Sequence, residues 1–328
     1  PKFRKRALEE TARLLIINGK DAVEDAKKKP CEDMYTQMKY VGYGQYLVNN
    51  LPNHTALREI QDQLVVSTNR MFRQCGSLPD ILALADNDDD ESSKEDNDFD
   101  FATMFDDPDK ADGDDVYDWL LSAIALTDCL TVPGLKVPDG AEEFLVHVWE
   151  FLSRFEFPYA RDYRKHYKHE KTMDESWTVT HSAYLPTGYG RHQQWVSDAP
   201  WLYRYIRENY FYSMERGMLD HFSEFIDLLR QYGCTEENDY QLRVGTRYIL
   251  DLYKKSNRSW MNHKGTNDDD DDVKESDYDK IHKPWTAISG VIPRQFEPAV
   301  PGSYGYAFQQ AMLKYSLKKK ASMMRKRS

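Results

Sequence analysis

The fold class of this chain follows from one stretch of its sequence, LDHFSEFIDLLRQYG at residues 219–233. Apolar residues recur there every three or four positions and share one half of a helical wheel. They are Leu219, Phe222, Phe225, Ile226, Leu228 and Leu229. Gly233, which follows this run, is a typical helix stop. The pattern therefore predicts an amphipathic helix with a broad buried face.

A histidine lies inside that apolar half: His221, with Glu224 at the edge of the same half. A buried polar group without a partner costs roughly 1–3 kcal/mol, so we expect His221 to have one. Side chains three positions apart are neighbours on a helix, which makes Glu224 the candidate. Such a histidine is either a functional residue or a satisfied core residue.

The rest of the 328-residue chain carries the same helical signature. Residues 54–75 place apolar side chains at helical spacing. Residues 199–216 follow an N-cap candidate, Asp198, with Pro200 in the first turn. Long runs contain neither glycine nor proline. We therefore predict an all-α fold, and residues 289–300 are the one stretch for which short strands stay open.

The formal net charge of −11 is concentrated in two acidic segments. Residues 86–113 are too charged and too poor in aliphatic side chains to fold alone, so we predict a disordered linker there. The second segment, NDDDDD at residues 267–272, predicts an acidic loop at 264–280. These boundaries divide the chain into four parts. They are an N-terminal helical region at 1–85, the linker at 86–113, a helical-repeat domain at 114–319 and a basic tail at 320–328.

The four cysteines lie far apart and form no CxxC motif; they are Cys31, Cys75, Cys129 and Cys234. This pattern predicts reduced thiols, and with them the cytoplasm or another reducing, intracellular compartment. No apolar run approaches the roughly 18 residues that a membrane-spanning helix needs. Basic residues are not concentrated on any one helix, so we expect no nucleic-acid partner.

Short motifs recur along the chain. THSAY at 180–184 and IHKPW at 281–285 each place a histidine three residues before an aromatic residue, and GYGQ at 42–45 is echoed by GYGR at 188–191. GSYGY at 302–306 is a looser third copy. The separations are near multiples of about 50 residues, the length of one helix pair with its turns. The spacing favours stacked helix pairs.

Residues 245–260, GTRYILDLYKKSNRSW, resemble the repeat of the α/α-toroid proteins, the squalene/hopene cyclases and protein prenyltransferases. The matching residues are Gly245, Tyr248, Ile249, Leu250, Asn257, Ser259 and Trp260. Arg258 stands at a glycine position of that repeat, and the chain has one extra residue. The resemblance extends over about 175–291. It implies helix pairs stacked as an α/α toroid or an open arc, although the acidic DxDD motif of the cyclases and the zinc ligands of the prenyltransferases have no counterpart.

In such a toroid the two His-x-x-aromatic motifs would open inner helices that face a central cavity. This arrangement predicts acid–base roles for four residues: His181, His221, Glu224 and His282. It predicts three ligand-binding side chains: Tyr184, Tyr189 and Trp285. Imidazoles and a carboxylate are also ligands for zinc or iron, but their spacing here matches no recognised metal site.

A magnesium site is a further alternative. Asp114, Asp115 and Asp118 fit the DDxxD motif of class I terpenoid synthases, in which carboxylates bind Mg²⁺ and the ions grip a diphosphate. Asn267, Asp268 and Glu275 fall at the spacing of the second metal motif of that family. Both motifs lie in or beside low-complexity acidic sequence, where such patterns arise easily.

Two classes of function remain open. The first is a helical domain that binds a small, largely apolar ligand in an aromatic- and His-lined cavity. It would be enzyme-like in the manner of a terpene cyclase or prenyltransferase, with no assigned reaction and no cofactor unless Mg²⁺ binds. The second is a non-catalytic scaffold that binds a protein on its concave face. Convergence of the predicted residues on one cavity favours the first, and separate packing of each favours the second.

Overall fold

The computed structural model describes residues 2–31, 34–75, 113–153, 157, 160, 162–166, 170–255, 287, 290–291, 293–294, 296–298 and 300–325. Every regular element within these residues is a helix, which confirms the all-α prediction. The predicted linker at 86–113 lies outside the described residues except for Gly113, which begins a helix, and the acidic loop at 264–280 lies wholly outside them. No helix in the described part of the chain is long and apolar enough to cross a membrane.

The chain divides into two compact units. Unit 1 comprises Pro1–Phe151 and Ala299–Ser328, and unit 2 comprises Leu152–Pro298. The predicted repeat domain spanned residues 114–319. Unit 1 includes the two helices that follow the acidic segment and also the C-terminal helix.

Six helices of unit 1 lie within the described residues. They are α1 (Lys2–Lys28), α2 (Met34–Asn50), α3 (Thr55–Gln74), α4 (Gly113–Cys129), α5 (Ala141–Leu152) and α12 (Tyr304–Arg325). The predicted face of α3 forms part of the core, where Leu57, Ile60, Leu64 and Met71 are fully or almost fully buried. The His54 side chain caps this helix, because its Nδ1 accepts a hydrogen bond from the Leu57 backbone N–H at 3.2 Å.

Two glycines on α2 explain why α4 belongs to unit 1. A Cβ atom at Gly42 would lie 2.5 Å from Asp128 Cβ of α4, and one at Gly44 would lie 1.9 Å from Gln61 Oε1 of α3. Only glycine permits such close approach of neighbouring helices. The GYGQ motif therefore lies within a helix. Its two glycines let α2 pack closely against α4 and α3.

A disulfide joins Cys31 to Cys75, so the prediction of four reduced thiols is wrong for this pair. The bond connects the end of α1 to the end of α3 across a sequence separation of 44. Cys129 and Cys234 are free thiols. Disulfides persist mainly in oxidising environments, so the cysteines give no support to the expected reducing compartment.

Unit 2 is built around one central helix. Its elements are α6 (Tyr163–His166), α7 (Glu170–Ser182), α8 (Tyr184–Thr187), α9 (Pro200–Glu215), α10 (Leu219–Gln231) and α11 (Tyr240–Lys255). Helix α10 has the sequence LDHFSEFIDLLRQ, for which an amphipathic helix was predicted. It contacts α7, α9 and α11. Every residue of α10 except Asp220 is buried. The sequence predicted one buried half, but the structure buries the polar half as well.

Candidate functional site

The structure brings several of the predicted site residues together in unit 2. His181 lies in the last turn of α7, rather than at the start of a helix as the repeat predicted, and His221 and Glu224 lie on α10. Tyr184 opens α8 and Tyr189 follows it. His282 and Trp285 lie outside the described residues. Asp114, Asp115 and Asp118 lie in the first turns of α4 in unit 1, and their side chains are not described.

The proton on His181 can be assigned from its contacts. Its Nδ1 lies 2.9 Å from the backbone oxygen of Trp177, one turn earlier on α7. A carbonyl oxygen only accepts, so Nδ1 carries the hydrogen and, in the neutral ring, Nε2 is the acceptor. The same Nδ1 lies 4.0 Å from Glu224 Oε1, beyond hydrogen-bond distance. His181 and Glu224 are thus neighbours across the α7–α10 interface without a direct hydrogen bond.

Thr180 links the two helices and shows where a second proton belongs. Its Oγ1 lies 2.9 Å from Trp177 O and 2.5 Å from Glu224 Oε2. The hydroxyl has one hydrogen and cannot donate it to both oxygens. A neutral Glu224 resolves the conflict, because its own O–H donates to Thr180 Oγ1 while Thr180 donates to Trp177. The geometry fits a protonated carboxyl group.

The surroundings of Glu224 act in the same direction. Burial raises the pKa of Glu224 well above its ordinary value, and the neighbouring charges of Asp220 and Asp227 raise it further. A hydrogen bond donated by Thr180 to the ionised form of Glu224 opposes this shift without reversing it. The core of unit 2 therefore favours the protonated form of this carboxyl group, the form that serves as a general acid in active sites.

Asp227, one turn beyond Glu224, is charged and paired. The Arg294 guanidinium donates to both of its oxygens, from Nε at 2.8 Å and from Nη2 at 2.5 Å. This two-pronged geometry is the strongest form of an arginine–carboxylate pair. Gln231 continues the polar stripe, since its Nε2 donates to Asp227 and its Oε1 accepts from Thr187. Glu224, Asp227 and Gln231 of α10 are thus hydrogen-bonded to groups from α7, α8 and the segment near residue 294.

His221 is packed differently from His181. It is 1% exposed, and its ring stacks on the Trp177 ring with 5.6 Å between centroids and 14° between planes. Glu224 makes its described contacts with Thr180 and His181 across the interface. Trp177 therefore touches both predicted histidines, through its ring and through its backbone oxygen.

The predicted ligand-binding tyrosines form a stacked pair at the end of α8. Their centroids are 4.9 Å apart, and Tyr184 also meets His181 edge-on at 5.1 Å. Tyr189 has a φ of +56°, a left-handed conformation that side chains rarely adopt. Gly188 and Gly190 beside it also have positive φ. The GYGR motif is therefore a turn, whereas GYGQ is helical, and the two copies are not structural equivalents.

A cavity of about 210 Å³ lies beside this network in unit 2. It is lined by Phe157, Ala160, Val179, Trp201, Arg204, Tyr205, Glu208 and Asn209. Its wall is aromatic, but the described lining includes none of the predicted histidines and none of the predicted ligand-binding residues. A recess of about 580 Å³ in unit 1 is lined largely by charged and polar side chains of α1 and α2, which suits an apolar ligand poorly.

Tyr205 connects the cavity to the acidic network. Its ring lines the cavity and packs edge-on against Phe225 of α10, with 5.8 Å between centroids. Its hydroxyl lies 2.9 Å from Ser176 Oγ of α7. Burial raises the pKa of Tyr205, and Tyr163 and the carboxylates of Glu175 and Glu224 raise it further. Tyr205 thus joins the cavity wall to α7 and α10, the two helices that carry Thr180 and Glu224.

The described residues contain no cluster of three or more histidine, cysteine, aspartate or glutamate side chains that could hold a metal ion. The DDxxD motif is not among those side chains, and its proposed second half at residues 267–275 lies outside the described ranges. Magnesium binding therefore stays a prediction.

Several residues of the site carried no signal in the sequence. Thr180 and Asp227 read as ordinary helix residues, and Arg294 lies 67 positions beyond the carboxylate that it binds. One signal was available in the sequence. Four polar residues are spaced three or four positions apart and so share one face of α10: Asp220, Glu224, Asp227 and Gln231. The helical wheel considered only the apolar residues.

Comparison with known proteins gives no family for this chain. No protein-family model matches it, and neither the curated proteins nor the solved structures give a significant match. The resemblance of residues 245–260 to the α/α-toroid repeat therefore stays a prediction, as do the activities that it implies.

Proposed function

We propose that unit 2 binds a small, largely apolar ligand in the cavity beside α9. The observation that carries this proposal is the aromatic wall formed by Phe157, Trp201 and Tyr205. Ligand sites are mostly apolar concave surfaces with a few polar groups at defined positions. The Trp201 ring is fixed, because its Nε1 donates to Ser153 O at 2.8 Å and its ring packs against Phe157.

The buried carboxyl group behind Tyr205 supports an enzyme-like function. Residues with strongly shifted pKa values cluster at functional sites, and Glu224 is such a residue. We propose acid–base roles for Glu224 and His181, with Tyr205 and Ser176 as the hydroxyl groups between them and the ligand. The predicted roles of His221 and His282, and the stacked-pair toroid architecture, stay part of this proposal.

The proposal is tested by ligand-observed NMR on the full chain, with indole and ethylbenzene as probes. Trp201→Ala removes the wall and is expected to abolish the binding signal. Trp195→Ala is the matched control, because Trp195 is 60% exposed and does not line the cavity. Binding that is absent in the wild type, or equal in both variants, would refute a ligand site at α9.

The alternative of a protein-binding scaffold has its own observation. Trp195 and Val196 are consecutive, exposed by 60% and 43%, and lie in the loop before α9. Exposed tryptophan residues are frequent energetic anchors of protein interfaces. The NMR experiment separates the two functions, because a scaffold predicts no small-molecule signal that depends on Trp201.

A further inference from the structure

The α9 cavity combines its aromatic wall with charged and polar groups along one helix face. Arg204, Glu208 and Asn209 line it together with the aromatic residues. Positions three to five apart on a helix lie on neighbouring ridges, so the three polar side chains border the cavity over little more than one turn. This arrangement places a positive group, a negative group and a neutral amide around a single small space.

The charged side chains among these groups form no ion pair with a described residue. Among the described residues, no side chain forms an ion pair with Arg204 or Glu208. Asn209 is 6% exposed, and its Nδ2 donates to Tyr205 O at 3.1 Å. Its Oδ1 accepts from no described residue and is the amide atom left for the cavity. Arg204 and Glu208 are exposed and the Asn209 Oδ1 is not fully buried, so all three groups are accessible to a ligand in the cavity.

The chemistry of the three groups defines a complementary ligand. A guanidinium group binds a carboxylate with two parallel hydrogen bonds. A carboxylate and an amide oxygen together accept from an ammonium group, which has three donors and no acceptor. The apolar wall, contributed by Phe157, Val179 and Trp201, requires an apolar body. A cavity of about 210 Å³ is below the range of about 300–1,000 Å³ that drug-sized ligands occupy.

We infer that this cavity binds a zwitterionic amino acid with an apolar or aromatic side chain. Arg204 binds its carboxylate, Glu208 and the Asn209 Oδ1 accept from its ammonium group, and the aromatic wall covers its side chain. The inference rests on the proposed function and adds the class of ligand to it. A purely apolar ligand would make no use of the two charges or of the amide oxygen that border the cavity.

The test is isothermal titration calorimetry on the full chain with four probes that share one body. They are L-phenylalanine, phenethylamine without the carboxylate, 3-phenylpropionate without the ammonium, and ethylbenzene without either. L-Phenylalanine is expected to bind tightest, and loss of either charge is expected to weaken binding by about tenfold or more, the size of one charge-assisted hydrogen bond. L-Serine, which lacks the apolar body, is expected to bind at least as weakly.

Two variants assign the charges to residues. In Arg204→Gln, L-phenylalanine should bind no better than phenethylamine, because the carboxylate has lost its partner. In Glu208→Gln it should bind no better than 3-phenylpropionate. The matched controls are Arg243→Gln on α11 and Glu215→Gln on α9, which remove the same charges from exposed positions outside the cavity. Both controls should bind L-phenylalanine like the wild type.

The outcomes separate this inference from the proposed function. If ethylbenzene binds as tightly as L-phenylalanine and neither variant matters, the amino-acid inference fails and the apolar ligand site stands. If L-phenylalanine binds but the two variants behave like their controls, the amino acid binds elsewhere and the inference also fails. If none of the four probes binds, both the inference and the proposed function fail.

Discussion

Replacement of Glu224 by glutamine tests whether the core of unit 2 holds a neutral acid. Glutamine has the shape of a protonated glutamate and supplies an N–H that can donate to Thr180 Oγ1. It cannot ionise. We therefore expect Glu224→Gln to preserve the stability of unit 2 at low pH and to exceed the stability of the wild type as the pH rises.

The size of the effect follows from proton linkage. The pKa of Glu224 is raised in the folded state above its ordinary value of 4.5. Between 4.5 and the folded pKa the folded chain keeps a proton that the unfolded chain has lost. Over that window the free energy of unfolding falls by about 1.4 kcal/mol per pH unit. The stabilising contribution is complete below pH 4.5 and is lost as the pH rises through the folded pKa.

Hydrogen exchange of the α10 peptide, residues 219–231, measures this quantity for unit 2 alone. Wild type and variant are compared at the same pH, so that the intrinsic exchange chemistry and all other titrating groups cancel. The difference should grow from near zero at pH 4.5 by about 1.4 kcal/mol for each unit until Glu224 ionises. Glu215→Gln, an exposed substitution on α9, measures the effect of the charge change itself.

Asp220→Asn provides a second check of the same reasoning. It removes one of the charges that raise the pKa of Glu224, so the window of falling stability should end at a lower pH. The opposite outcome is also defined. If the difference in unfolding free energy between wild type and Glu224→Gln does not change with pH, or favours the wild type as the pH rises, Glu224 is ionised in the folded chain. The proton assignment at Thr180 would then be wrong.

Three further changes test the packing. Replacing Cys31 and Cys75 by serine should lower the free energy of unfolding of unit 1 by about 4 kcal/mol, the chain-entropy value for a separation of 44; urea denaturation without reductant measures it, and unchanged stability would contradict the disulfide. Gly245→Ala should cost about 1–3 kcal/mol, because its Cβ would lie 2.0 Å from Tyr210 Oη. Tyr210→Phe removes the nearest contact and should recover part of the loss, because Phe222 Cζ and Tyr210 Cζ would still lie 2.9 Å from the added Cβ. Tyr210→Phe alone should not destabilise, since that hydroxyl is buried without a hydrogen-bond partner among the described residues; loss of stability would refute this, and Tyr163→Phe, which breaks a bond to Ser213, is the contrasting control. Asp227→Asn should destabilise unit 2 by about 3–5 kcal/mol in thermal unfolding, because it leaves Arg294 without its buried counter-charge; a change below about 1 kcal/mol would show that the pair contributes little.

The helical class was predictable because local patterns carry it. The apolar positions of α10 and of α3 follow the helical period, and both sets are buried in the structure. The division into units was not predictable in the same way. It depends on contacts such as that of Gly42 with Asp128, whose residues are far apart in the sequence and carry no periodic signal.

Two of the predicted site residues also have a local signal in the sequence. His221 and Glu224 were identified because they interrupt an apolar pattern, and that signal lies within one helix. The partners of Glu224 come from α7, and the guanidinium that binds Asp227 comes from residue 294. The prediction of reduced cysteines was wrong because it relied on their wide spacing in the sequence. The fold brings Cys31 and Cys75 together in a disulfide despite that spacing.

The buried polar half of α10 explains how one helix can be surrounded on all sides. Three ionised carboxylates along one stripe would repel each other and carry a large desolvation penalty. Two features reduce this penalty: Arg294 pairs with Asp227, and the raised pKa of Glu224 favours its neutral, protonated form. Asp220, at the less buried end of the helix, keeps access to solvent. The proton on Glu224 is therefore part of the packing of unit 2, and any reaction that removed it would have to be coupled to a change in that packing.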